Sequence, residues 1–198
     1  MRYVVTGGRG FIGSHFVEKL LKLGHSVVDI DKMTYAASKE LPWDDHSNYT
    51  HLKEDICSIK HIPPCDYLVN FAAESHVDNS IHESKTFLKS NTEGVHNILE
   101  LLRGKVYERP LFIHISTDEV YGDTISGTFK ESDALNPSNP YAASKAAAEM
   151  FVLSHGRTYG IDYIITRSGN NYGERQYIEK LIANTIDCMN LGRKIPIH

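Results

Sequence analysis

At 198 residues the chain is long enough for one large domain, or for one domain and the start of a second. Its 41% hydrophobic and 23% charged residues are ordinary for a globular protein, and a net charge of −4 gives no reason to expect nucleic acid or an anionic membrane surface as a partner. No apolar run approaches the roughly 18 residues of a spanning helix, so no membrane partner is expected.

The N-terminal MRYVVTGG enters a strand and turn directly, without a signal-peptide pattern. The 3 cysteines, Cys57, Cys65 and Cys188, show neither metal spacing nor an even disulfide framework, so a reduced, cytoplasmic protein is expected. The 11 histidines are scattered, with no HExxH or CxxC, and no metal site is expected.

In chain order, strands alternate with helices. Residues 2–6 form a short β-branched run before glycines. Apolar residues at Phe11, Ile12, Phe16, Leu20, Leu21 and Leu23 keep helical spacing up to the stop at Gly24. A second strand covers 26–31, and a polar loop follows to residue 50. A third strand starts at 49, and residues 66–73, nearly all apolar, suit a strand buried on both faces. The spacing predicts a helix over 84–102, a strand over 111–117, a loop over 121–140 and a helix over 141–159. A sixth strand covers 162–168, and an amphipathic helix covers 176–191. Such alternation predicts an α/β fold, a Rossmann-like doubly wound parallel sheet with helices on both faces. Ligands in such sheets bind at the carboxyl ends of the strands, where every unusual motif of this chain falls.

In TGGRGFIG, Gly7, Gly10 and Gly13 lie between the first strand and the first helix. That context suits a turn whose backbone approaches a pyrophosphate while the helix N-terminus faces the anion. Phe11 and Ile12 sit in the same turn. Asp31, at the end of the second strand, can accept from both ribose hydroxyls of an adenosine and would repel a 2′-phosphate, which favours NAD over NADP. Lys32 beside it weakens that exclusion, and Asp29 is the other candidate. Asp55 and Ile56, after the third strand, are candidates for the adenine.

YAASK puts Tyr141 and Lys145 on one helical face. A nearby ammonium would lower the phenol's pKa, so that the tyrosine could take a proton from a sugar hydroxyl. Asp118 and Glu119 stand side by side after the Ser116-Thr117 strand end. Two close carboxylates do not ionise independently, so one is expected to stay protonated near neutral pH. Both can reach one substrate only if the chain turns at Thr117–Asp118. The plainer reading is a turn cap beside a solvated acid.

TGGRGFIG, the Ser/Thr strand end and YAASK together resemble an extended short-chain dehydrogenase/reductase acting on nucleotide sugars. AAESHVDNSI (72–81), STDEVYGD (116–123) and GNNYGERQYIEKLI (169–182) are similar to the NAD-dependent dTDP-glucose 4,6-dehydratases. The resemblance implies oxidation of a nucleoside-diphosphate hexose at C4, loss of water across C5 and C6, and hydride return to C6. It implies Asp118 as the acid, Glu119 as the base, and Thr117, Tyr141 and Lys145 as their catalytic companions. It further implies that Phe71, Ala72 and Ala73 line the nicotinamide side, that Ser75 faces the sugar or its phosphate, and that Thr34, Ser90 and Asn171 lie at the cofactor. Asn170, Lys180, Leu181, Pro196 and His198 are implied substrate contacts. Arg167 precedes the third motif where a smaller residue is expected.

Residues 1–169 are expected to form the NAD-binding domain with the catalytic residues, and 170–198 the start of an incomplete substrate-binding domain. NAD binding with poor turnover is expected of these residues alone. The family also implies a homodimer paired through 84–102 and 141–159 of each subunit, giving a four-helix contact. Two alternatives stay open: a UDP-sugar 4,6-dehydratase or 4-epimerase, and a catalytically silent NAD-binding fragment.

Overall fold

The computed structural model describes residues 1–105 and 109–195. Six strands form one parallel sheet: β1 (Arg2–Thr6), β2 (Ser26–Ile30), β3 (Tyr49–Leu52), β4 (Tyr67–Asn70), β5 (Leu111–Thr117) and β6 (Tyr163–Ser168). Their order is β3-β2-β1-β4-β5-β6. The winding reverses between β1 and β4, and at that reversal a crevice opens above the strand ends. The doubly wound fold expected from the sequence is therefore the one observed.

α1 (Phe11–Lys22) starts at Gly10 and returns the chain to β2. Val17, Leu20 and Leu21 on its inner face pack with Val5, Val27, Trp43 and Tyr49 on one side of the sheet. The other side is covered by α4 (Gly94–Gly104) and α5 (Pro140–Tyr159). There Val95, Ile98, Leu99 and Leu102 meet Val4, Leu68, Phe112 and Val152, all within 1% of full burial. Each such side chain stabilises the fold by roughly 1.5–3 kcal/mol relative to exposure. α5 is held at its start by Asn139, whose Oδ1 accepts from the Ala142 N–H at 2.8 Å, with Pro140 in the first turn. It ends on Gly160 at φ 64°, in the left-handed region.

Three details differ from the sequence reading. The expected 84–102 helix is interrupted: α3 (Ser84–Phe87) runs into a π-helical turn over Leu88–Glu93 before α4. A short α2 (Val77–His82), capped by His76, precedes it where no helix was expected. The last helix, α6, spans only Leu181–Asn190, because residues 176–180 form turns at the edge of the crevice, where the Lys180 ammonium donates to the Ser75 carbonyl.

The strand ends are joined by a buried polar row. Thr6 Oγ1 donates to Asn70 Oδ1 at 2.5 Å, and Asn70 Nδ2 lies 3.2 Å from His114 Nδ1. These three residues are in register across β1, β4 and β5. Full burial pushes the His114 imidazole well below its ordinary pKa, so the row is neutral.

Candidate active site and cofactor cavity

The crevice holds a cavity of about 310 Å³ that runs from the glycine turn to the end of β5. At one end, Gly7 takes φ 72° after β1, and a Cβ there would lie 2.6 Å from the Ala72 backbone nitrogen. A Cβ on Gly13 would lie 2.2 Å from the Gly7 carbonyl oxygen. Gly10, Phe11 and Ile12 border the cavity with them. A chain with side chains at those two glycines could not make this turn.

Two carboxylates share the support of the turn. Asp29, fully buried, accepts from the Gly8 N–H at 2.8 Å and from the Tyr49 hydroxyl at 2.9 Å. Burial pushes its carboxyl up to about 7, against the pull of the tyrosine and Gly8 hydrogen bonds. Asp31 borders the cavity and accepts from the Arg9 and Met33 backbone N–H groups. Asp29 is thus a brace behind the turn, and Asp31 is the one of the two candidates that borders the cavity. Lys32 borders the cavity too, but its ammonium donates to Ser90 Oγ at 2.9 Å and lies 3.5 Å from Glu74.

Arg9, invisible as a functional residue in the sequence, anchors the long loop after β2. It is 3% exposed and donates to the Ser38 and Lys39 carbonyls while pairing with Asp44 at 2.6 Å. That loop delivers Thr34, Ala36 and Ala37 to the cavity. Asp55 and Ile56 border it from beyond β3, and Phe71, Ala72, Ala73 and Ser75 from beyond β4. The post-β4 loop is clamped by Asn91 from the π-helical turn. Asn91 exchanges hydrogen bonds with Glu74 at 2.8 and 2.9 Å and donates to Ser144 at 2.9 Å. The π-helical register that presents Ser90 and Asn91 this way has no signal in hydrophobic periodicity.

At the other end, β5 delivers Ser116 and Thr117, and the chain turns at once into a 3₁₀ segment over Asp118–Tyr121. Thr117 Oγ1 accepts from the Glu119 N–H at 3.2 Å. The chain thus turns where two adjacent acids would need it to, but the turn brings one of them, not both, to the cavity. It treats them differently. Glu119 borders the cavity and accepts from Asn139 Nδ2 at 3.0 Å. Asp118 is exposed and does not border the cavity; it sits at the rim, where its Oδ2 would lie 3.4 Å from a Cβ on Gly169. Tyr141 and Lys145 come from the first turns of α5, and both border the cavity.

The expected lowering of the phenol by its lysine is not found. Burial and the charge of Glu119 push Tyr141 up to about 12, with Thr117 pulling slightly the other way. The Lys145 ammonium donates to the Ile115 carbonyl at 2.6 Å, and burial lowers it to about 8. Ser116 Oγ, buried and bordering the same cavity, has no hydrogen-bond partner among the described residues.

The third motif closes the cavity. Asn170, Asn171, Gln176, Tyr177 and Lys180 border it. Lys180 Nζ donates to the Ser75 carbonyl at 2.8 Å, and burial lowers its pKa. Tyr35 donates to Glu179 and stacks edge-on against Tyr177, joining this strap to the loop after β2. Leu181 does not belong to the cavity: as the first residue of α6 it points outward, 67% exposed. Pro196 and His198 lie outside the described residues.

Arg167 turns out to be structural. It grips the fully buried Glu149 of α5 with Nε at 3.1 Å and Nη2 at 2.6 Å, and its guanidinium lies 4.8 Å over the Tyr121 ring. It therefore ties β6, α5 and the acid-bearing turn together. Among the described residues, no helix is long and apolar enough to cross a membrane.

A glycine turn at the switch point of a Rossmann sheet, with a tyrosine–lysine pair facing the same cavity, defines an extended short-chain dehydrogenase/reductase. The chain belongs to the GDP-mannose 4,6 dehydratase family, whose model matches residues 4–198. It is 42% identical over 205 residues to the low-salt glycan biosynthesis protein Agl12 of Haloferax volcanii, covering 100% of this chain and 66% of that protein. It is 40% identical over 210 residues to dTDP-glucose 4,6-dehydratase of Streptomyces niveus, covering 100% of this chain and 62% of that one. The crystal structure of DesIV, a dTDP-glucose 4,6-dehydratase from Streptomyces venezuelae solved with NAD bound, superposes with a TM-score of 0.94 at 39% identity. That match covers 99% of this chain and 64% of that one. The chain thus spans about two thirds of the length of these relatives.

Proposed function

We propose that the cavity binds NAD and that the chain carries the catalytic part of a nucleoside-diphosphate-hexose 4,6-dehydratase, with dTDP-glucose as substrate. The carrying observation is that one cavity joins the glycine turn to Ser116, Thr117, Glu119, Tyr141 and Lys145. The residues fit NAD. The turn admits no Cβ at Gly7 or Gly13, Asp31 faces the cavity unopposed by Lys32, and Ser116 Oγ is an orphaned donor at the far end. Gly7, Gly10 and Gly13 would hold the pyrophosphate, Asp31 the adenosine ribose, Asp55 and Ile56 the adenine, and Lys145 the nicotinamide ribose. When bound, NAD supplies the acceptor for the C4 hydrogen and its return to C6.

The chain's own groups manage the protons. Tyr141 takes the C4 hydroxyl proton, with Thr117 beside the phenol. A phenol at about 12 is a poor base near neutrality, so this role needs positive charge close by. Lys145, one helical turn on, donates to the Ile115 carbonyl as it stands and would have to turn toward the phenol to supply that charge. Glu119, inside the cavity and fixed by Asn139, removes the C5 proton once C4 is a ketone. Asp118, at the rim, protonates the departing C6 oxygen. Residues 1–169 serve as the cofactor domain, and 170–198 as the beginning of the substrate domain. The apolar Met150, Phe151 and Leu153 exposed on α5 suit a homodimer formed through α4 and α5.

The test follows deuterium placed at C4 of dTDP-glucose, read by mass spectrometry over single turnovers at high protein concentration. The reading expects a product one water lighter with deuterium at C6, and Glu119→Gln stopping after oxidation. Deuterium back on C4 with no water lost would mean epimerisation and would contradict it.

A further inference from the structure

The histidines look scattered in the sequence, but the fold gathers two of them with an acid far from the cavity. His96 and Glu100 are four residues apart on one face of α4, and His155 of α5 faces them. Their ligand atoms all lie within 4.8 Å of one another. We propose that His96, Glu100 and His155 form a binding site for a zinc-class divalent cation that staples α4 to α5.

Hydrogen-bond logic points the same way. His155 Nδ1 lies 2.9 Å from the Phe151 carbonyl, which can only accept, and 3.4 Å from the Ser154 hydroxyl, whose hydrogen goes to that same carbonyl at 2.9 Å, so the tautomer with its hydrogen on Nδ1 satisfies this side. In a neutral ring Nε2 then offers a lone pair. It faces Glu100 Oε1, another acceptor, at 3.0 Å. Only a cation, a second proton or a metal ion, makes that approach favourable. A proton would account for this pair alone. The cation account also uses His96, whose ring stands 5.7 Å from that of His155 at 85°.

The geometry is close to what such an ion asks. Zinc bonds of about 2.0–2.1 Å in a tetrahedron put neighbouring ligand atoms roughly 3.3 Å apart. The His155–Glu100 pair is already near that separation, and a side-chain rotation brings His96 in. Two imidazoles and one carboxylate suit zinc, cobalt or nickel, whereas calcium and magnesium prefer oxygen throughout. The ligands also have outer support. Arg103 holds the other Glu100 oxygen at 3.0 Å, and its guanidinium lies 4.6 Å over the Tyr159 ring. None of the three ligands borders the cavity, so this site stands or falls apart from the dehydratase reading.

The test is a titration of the chelator-treated chain with cobalt(II), read by visible ligand-field absorption and thermal melting. One equivalent should bind with tetrahedral-type absorption, raise the melting temperature and be displaced by zinc. His96→Ala should weaken binding at least about 10-fold and abolish the absorption while the circular dichroism stays that of the parent. If that variant does not fold, the near-isosteric Glu100→Gln carries the same expectation. No absorption and no melting shift in the parent chain would overturn the site, leaving the pair joined by a proton. Undiminished binding in the folded variants would assign the ion to other histidines and overturn it equally.

Discussion

The two ends of the cavity are built in opposite ways. Around the glycine turn, charged groups are saturated with contacts from the fold itself, although the Asp31 carboxylate keeps lone pairs for a ligand: Asp29 has two donors, Asp31 two backbone N–H groups, and Arg9 two carbonyls and a carboxylate. At the end of β5, groups are left short. Among the described residues Ser116 Oγ has no partner, Lys145 has one backbone carbonyl, and Asp118 stands at the rim. The first end is finished by the fold itself and suits a ligand held in one geometry. The second keeps unspent hydrogen-bonding capacity, which suits groups that must exchange protons with a substrate.

The largest break in this contrast should come at the saturated end. Gly13→Val drives a side chain into the Gly7 carbonyl and should cost more than about 4 kcal/mol, seen as loss of cooperative urea unfolding. Next is the brace behind the acid-bearing turn. Arg167→Ala leaves Glu149 fully buried without its cation and should cost about 3–5 kcal/mol by the same measurement. At the unsaturated end the effect should fall on rate instead of stability. Tyr141→Phe should slow turnover by about 10²–10⁴-fold, with NAD affinity and melting temperature unchanged.

A smaller effect sharpens the comparison through pH. The Lys145 pKa is lowered to about 8 in the fold, against an ordinary lysine value of about 10.4 unfolded. Between those values the unfolded chain binds more protons, so this lysine makes the free chain more stable as pH rises through that window. Lys145→Met should remove that slope from urea midpoints measured across it, and an unchanged slope would assign it elsewhere.

Much of this was legible in the sequence, for identifiable reasons. Alternating apolar runs pointed to a parallel sheet, and the glycines after β1 marked a turn where a Cβ is forbidden. YAASK announced itself through helical spacing. What stayed hidden depends on contacts distant in the chain. Arg9 reads as a loop residue until Asp44 and the 38–39 carbonyls meet it. Arg167 looked out of place because its partner, Glu149, lies 18 residues earlier on another element. The Tyr–Lys pair misled on electrostatics because spacing shows proximity along a helix but not that the ammonium turns to the Ile115 carbonyl. Leu181 was assigned to the substrate by resemblance, whereas the late start of α6 turns it outward.

The most direct test of the saturated end as a dinucleotide cradle is a calorimetric titration of the chain with NAD⁺ and NADP⁺, repeated with Asp31→Asn. One NAD⁺ per chain should bind, more tightly than NADP⁺, with the preference narrowed in the variant. No saturable binding of either nucleotide, or a preference for NADP⁺ that Asp31→Asn leaves untouched, would contradict the account.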